Sequence, residues 1–210
     1  ALITEMKEQE KEIEEKVKEQ LEQHPEMTQE QLEQLQEALE KLKEAFKQAK
    51  TEEDALKGLA QMENLMEKLQ AQNPLQDLKE MENALAGSSL TEKLAEAMKN
   101  QDEEALKEAL EQLKKELEDA QARNELAEML ENAASEIANN PMLAEALKNL
   151  AASAASGSKS STELAQSLSE LLEQTQVSAE GQQAFTQAAG EIGKASSNAR
   201  RAIAQVDQSV

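Results

Sequence analysis

The 210 residues include 43 Asp and Glu side chains and one histidine, but few of them stand in a pattern suited to acid–base or metal work. The one histidine, His24, lies in Gln23-His24-Pro25-Glu26. An imidazole titrates near neutrality and binds metals through either ring nitrogen, but a base or a ligand needs partners. A carboxylate-bridged di-iron site takes paired Glu-x-x-His motifs, which a chain with one histidine cannot supply. Ahead of a proline and between two expected helices, His24 reads as a turn residue. Two acidic triplets, Glu52-Glu53-Asp54 and Asp102-Glu103-Glu104, cluster oxygens that a divalent cation favours. A calcium loop spaces its Asp and Asn ligands around a glycine, and neither triplet has that spacing. Both stand where helices are expected to start, and there the helix dipole favours anions.

Arg200-Arg201 is the only arginine pair. Near the end of the last expected helix its charge is well placed, and an anion or partner contact is the alternative. Of eight methionines, Met62, Met66, Met98 and Met129 fall on apolar stripes, so core packing is expected ahead of an adaptable partner groove. There is no G-x-S-x-G elbow, phosphate loop or G-x-G-x-x-G turn. With no cysteine the chain has no disulfide or thiolate chemistry. The expected set of catalytic, cofactor-binding and metal residues is therefore empty: no enzyme and no cofactor.

The elements that would position any such residue are helices. Ala, Leu, Glu, Gln and Lys dominate, aromatics are only Phe46 and Phe185, and Trp and Tyr are absent. These are strong helix formers, so the expected class is all-α with no β-sheet. Apolar residues recur in alternating steps of three and four along Leu32, Leu35, Leu39, Leu42, Phe46 and Ala49, and along Leu106, Leu110, Leu113 and Leu117. They do so again along Phe185, Ala189, Ile192, Ala199, Ile203 and Val206. Start signals are frequent. Thr28-Gln-Glu-Gln31, Ser89-Leu-Thr-Glu92 and Ser160-Ser-Thr-Glu163 have capping-box form, and Asn73-Pro74 and Asn140-Pro141 place proline at the first helical position. Gly87 and Gly157 stand where a left-handed C-terminal cap belongs. The spacing predicts ten helices: 2–22, 28–49, 52–71, 74–86, 89–100, 103–121, 124–139, 141–155, 161–175 and 179–207.

One heptapeptide recurs: LKEAFKQ at 42–48, LAEAMKN at 94–100 and LAEALKN at 143–149. The first two precede Asp54-Ala-Leu-Lys57 and Glu104-Ala-Leu-Lys107, and the third precedes the looser Glu163-Leu-Ala-Gln166. Asn132-Ala-Ala-Ser-Glu-Ile137 is echoed by Gln187-Ala-Ala-Gly-Glu-Ile192. The order of matches predicts a helical repeat or extended antiparallel bundle, each unit covering its neighbour's apolar face. Three regions are expected. Residues 1–27 form a charged helix, with a thin seam of Leu2, Met6, Ile13, Val17 and Leu21, that is a stalk, a coiled-coil strand or an edge helix. Residues 28–157 form the acidic repeat region. Residues 158–210 are Ala/Ser/Gln-rich helices on the same array.

Net charge is −21, and residues 1–150 hold 37 acidic and 18 basic side chains. Such a surface repels phosphates and anionic membranes, so no nucleic-acid partner is expected. No apolar run reaches membrane-spanning length, and membrane contact is expected only through a segment upstream of Ala1. Starting without a methionine, the chain reads as a processed form or a piece of something longer. A Gram-positive-type cell surface is favoured slightly over the cytoplasm. The expected function is a non-enzymatic scaffold for protein–protein association or self-assembly. Lipid or amphiphile binding by amphipathic helices is the alternative. A largely disordered chain is the third reading, opposed by the regular leucine stripes and repeated caps.

Overall fold

A computed structural model describes residues 1–71, 75–137 and 139–206. Among these residues there are nine helices and no strand: α1 (Leu2–Gln23), α2 (Gln29–Gln48), α3 (Glu52–Gln70), α4 (Leu75–Ala86), α5 (Glu92–Lys99), α6 (Glu103–Glu116), α7 (Ala120–Glu136), α8 (Pro141–Ser156) and α9 (Ser161–Ala204). The class is all-α, and the count falls one short of the ten expected. The two helices anticipated at 161–175 and 179–207 are one. The stretch between them holds no proline or glycine, and the Thr175 hydroxyl donates 2.7 Å to the Leu171 carbonyl one turn back. That bond keeps a β-branched polar residue inside the helix.

The chain divides into two compact units, residues 1–73 with 180–210, and residues 74–179. These limits differ from the compositional changes at 27 and 157, because composition marks surface chemistry and packing marks cores. In the first unit α1, α2, α3 and the later part of α9 share one core of Ile13, Leu35, Leu59, Met66, Phe185 and Ile192 among others. The α1 seam is thin but buried, with Ile13 0% and Val17 1% exposed. It packs against neighbours in its own chain. Glu14–Lys43 joins α1 to α2, Lys16–Glu191 joins α1 to α9, and Glu63–Arg200 joins α3 to α9. Gly190 and Gly193 of α9 lie against Gln70 and Met66 in turn, so α9 runs antiparallel to α3. Burying each such Leu, Ile or Phe is worth about 1.5–3 kcal/mol, which offsets the marginal stability of single amphipathic helices.

The second unit buries Leu85, Leu94, Leu113, Leu126, Leu147 and Leu164, drawn from α4 to α8 and the first part of α9. Its helix ends are held by local side chains. Asn140 caps α8, its Oδ1 accepting from Leu143 N–H at 3.2 Å while its Nδ2 donates 3.2 Å to Asp77 of α4. Gly157 takes the left-handed conformation (φ 71°) that closes α8.

Several expected helix ends are corrected. Ser89 does not cap α5. The helix begins three residues later, and the buried Thr91 hydroxyl instead donates 2.6 Å to the Leu85 carbonyl near the end of α4. Gly87 has no positive φ; its N–H bonds the Asn83 and Ala84 carbonyls. The helix expected at 103–121 ends at Glu116, where Arg123 Nε donates 2.7 Å to the Leu117 carbonyl. Asp119 then caps α7, so that helix opens at Ala120, not 124. Asn73-Pro74 lies outside the described residues.

Candidate functional surface

His24 is the C-terminal cap of α1. Its N–H donates to the Gln20 carbonyl, its own carbonyl accepts from Met27 N–H, and its Nδ1 lies 4.0 Å from Glu26. These contacts shape the turn into α2. There the Thr28 capping box is complete: Gln31 N–H donates to Thr28 Oγ1 at 3.2 Å and Thr28 N–H donates to Gln31 Oε1 at 2.9 Å.

Both acidic triplets begin helices. Thr51 caps α3 by accepting from Asp54 N–H, and Asp54 reaches back to accept from Lys50 N–H at 3.1 Å. That backbone hydrogen bond holds the Asp54 carboxyl below the usual carboxylate range. In the second triplet Asp102 is itself the cap, accepting from Ala105 N–H at 3.1 Å. Among the described residues no three His, Cys, Asp or Glu side chains gather as a metal cage, and no helix is long and apolar enough to cross a membrane.

The arginine pair separates. Arg200 Nη1 reaches Glu63 Oε2 at 3.2 Å across α9 and α3, while Arg201 is exposed. Glu63 Oε1 is buried without a hydrogen bond, so the pairing is one-armed. Met62, Met66, Met98 and Met129 are buried, as are Met6, Met27 and Met81; Met142 alone is open, at 84% exposure.

Charged groups also tie helices together. Lys43 Nζ donates 3.0 Å to Glu14 Oε1. That hydrogen bond pulls the Glu14 carboxyl below its ordinary range and raises the Lys43 ammonium above its own, with partial desolvation working against both.

Near this pair lies an open groove of about 490 Å³ between the start of α1 and the end of α2. Ile3, Met6, Phe46 and Ala49 give it an apolar lining. Lys7, Lys43 and Lys47 stand around it with one acid, Glu10. Met6 and Phe46 are also core residues, whereas Ile3 is 70% exposed. Sequence reasoning placed Met6 and Phe46 in their stripes and missed the groove. The available signal was Ile3, one position off the α1 seam, with Lys7 one turn further on. A second groove, between α5 and α6, is lined by Lys93, Glu96, Asn100, Asp102 and Glu108 over alanines, and is mostly polar.

Among the described residues three further large apolar side chains are exposed: Leu75, Met142 and Val177. Val177 ends a stripe on α9 that reads Glu163, Gln166, Glu170, Glu173, Val177 in steps of three and four, every member exposed. Residues 161–179 carry three glutamates and no lysine or arginine. Against known proteins, the chain matches no protein-family model, no curated protein and no solved structure.

Proposed function

We propose that this chain is a non-enzymatic interaction module, a helical scaffold that associates with other proteins or with itself. The observation that carries the reading is the set of large apolar side chains left open on otherwise charged helix faces, Ile3 and Val177 foremost. Asp54, Asp102, Glu14, Lys43, Glu63 and Arg200 are used in caps and interhelix pairs, which supports a role built on shape. The finer architecture belongs to the same proposal: a helical repeat arranged as an extended antiparallel bundle. Support comes from two hairpins. LKEAFKQ closes α2 and LAEAMKN spans most of α5, and each is followed by a short turn, a capping Thr51 or Asp102, and an acidic first turn. The third copy opens α8 instead of closing it, so the correspondence is strongest for the first two. The reading also carries the expected surface setting, a protein partner, and no catalytic or cofactor site.

The test is sedimentation equilibrium and light scattering across a wide concentration range, with a binding screen alongside. A mass above 23.1 kDa, or saturable binding of a purified protein, is expected. A monomer that binds nothing would remove the module reading. Amphiphile binding is the second reading, favoured by the groove, where lysines stand over an apolar lining as an anionic headgroup and a chain would need. Co-sedimentation with vesicles of anionic and of neutral lipid tests it, and no binding to either eliminates it.

A further inference from the structure

We propose that the α1–α2 groove receives the Glu163–Val177 face of α9 from a second copy of this chain, so that copies join head to tail. This names the partner for the self-association just proposed and rests on that reading. The two surfaces are complementary in charge. The groove offers an apolar lining around the exposed Ile3, with three lysines and a single acid at its edges. Of the four large apolar residues exposed among the described residues, Val177 sits on a helix face whose charged members are all acidic. An amphipathic helix laid into a groove is read by anchors at helical spacing. Here Val177 is the apolar anchor, and Glu170 and Glu173, two turns and one turn before it, meet Lys7 and Lys47.

The two surfaces are different, so the contact is heterologous. A copy whose groove is filled still presents its own α9 face, and association continues to chains or rings and does not stop at pairs. Copies carrying −21 each repel at long range. At an ionic strength of about 0.15 M that repulsion fades beyond roughly 8 Å, whereas charges in contact are screened less. Association should therefore rise between very low and moderate salt.

The test uses the full chain and two variants whose altered side chains are all exposed: K7E/K47E, which spoils the groove, and E170K/E173K, which spoils the face. Far-UV circular dichroism checks that both remain helical. The wild type is expected to show a weight-average mass that climbs with concentration, and each variant alone to stay at 23.1 kDa. Mixed in equal amounts, the two variants should associate again, because the unaltered face of one meets the unaltered groove of the other and the two reversed surfaces also match in charge. Combining all four changes in one chain should restore association. Variants that associate as the wild type does would overturn this interface while leaving the module reading intact. So would a mixture that stays monomeric. A wild type that is monomeric at every concentration and salt would overturn self-association altogether, leaving a heterologous protein partner as the module's remaining form.

Discussion

Gln101 holds a backbone conformation that its side chain opposes. Its φ is 54°, the left-handed region, and it follows α5 directly. Its N–H donates to the Met98 carbonyl at 3.1 Å and Asp102 N–H donates to Ala97 at 3.0 Å, the double closure that usually has glycine at its turning point. A left-handed residue with a Cβ costs about 1–2 kcal/mol, partly balanced by the greater freedom glycine has when unfolded. Gln101→Gly should therefore stabilise by about 0.5–1 kcal/mol, raising Tm by roughly 1–4 °C, and calorimetry would show no gain if the turn relaxes otherwise. Glu14 and Lys43 give a pH-dependent effect. Because the Glu14 pKa is lowered on folding, its share of stability is present above the ordinary carboxylate range and lost as pH falls through the depressed value. Because the Lys43 pKa is raised, its share is present below the ordinary lysine range and lost as pH rises through the elevated value. Both side chains are about one-third exposed, so the pair is worth no more than about 0.5 kcal/mol. The stability deficit of Glu14→Gln should appear at pH 7 and vanish in strong acid. A deficit that persists there would trace to lost packing instead of charge.

At the scale of elements, α9 shows what one helix must satisfy. At Gly181 an added Cβ would lie 2.8 Å from the Glu26 carbonyl oxygen, whereas at Gly190 it would meet the end of the Gln70 side chain at 3.0 Å. Backbone in a capped turn cannot step aside, but a glutamine amide can. Alanine gains up to about 1 kcal/mol of helix propensity over glycine at either position. Gly181→Ala should nevertheless lose about 1–3 kcal/mol, the usual cost of overpacking, while Gly190→Ala should be neutral or stabilising. Paired thermal melts decide it, and equal effects at both positions would contradict the close approach of α9 to the α1–α2 turn. The same distinction between local and distant determinants separates what was legible in the sequence. Thr28 with Gln31 and Asn140 with Leu143 were readable because each bond spans three residues. The α5 start was not, because the choice among Ser88, Ser89 and Thr91 depends on a carbonyl at Leu85. The expected division of α9 had no proline or glycine behind it, and the Thr175–Leu171 bond lies within one continuous helix.

For the whole molecule, leucine periodicity announced which residues would be buried and said nothing of which buried residues would meet. Residues 180–204 share a core with α1–α3, more than a hundred positions away, while 161–179 of the same helix belong with α4–α8. The groove was hidden for the same reason, since Ile3 and Phe46 become neighbours only when α1 and α2 pack. Two cores imply that damage should be felt unequally. Leu35 and Leu126 are each fully buried, one in each core, and replacing either with alanine should cost about 2–5 kcal/mol through lost burial and a residual cavity. Local and sub-global opening follows cooperative units within the fold. Leu35→Ala should therefore speed amide exchange chiefly in α1–α3 and 180–204, and Leu126→Ala chiefly in α4–α8. The informative amides are those of α9 on either side of Ala179, where one helix passes from one core to the other. If protection there changes stepwise with position, and oppositely in the two variants, the cores open independently while the helix between them stays continuous. If both variants lower protection uniformly along α9 and everywhere else, the shared helix couples the cores into one cooperative unit and the division is one of packing alone.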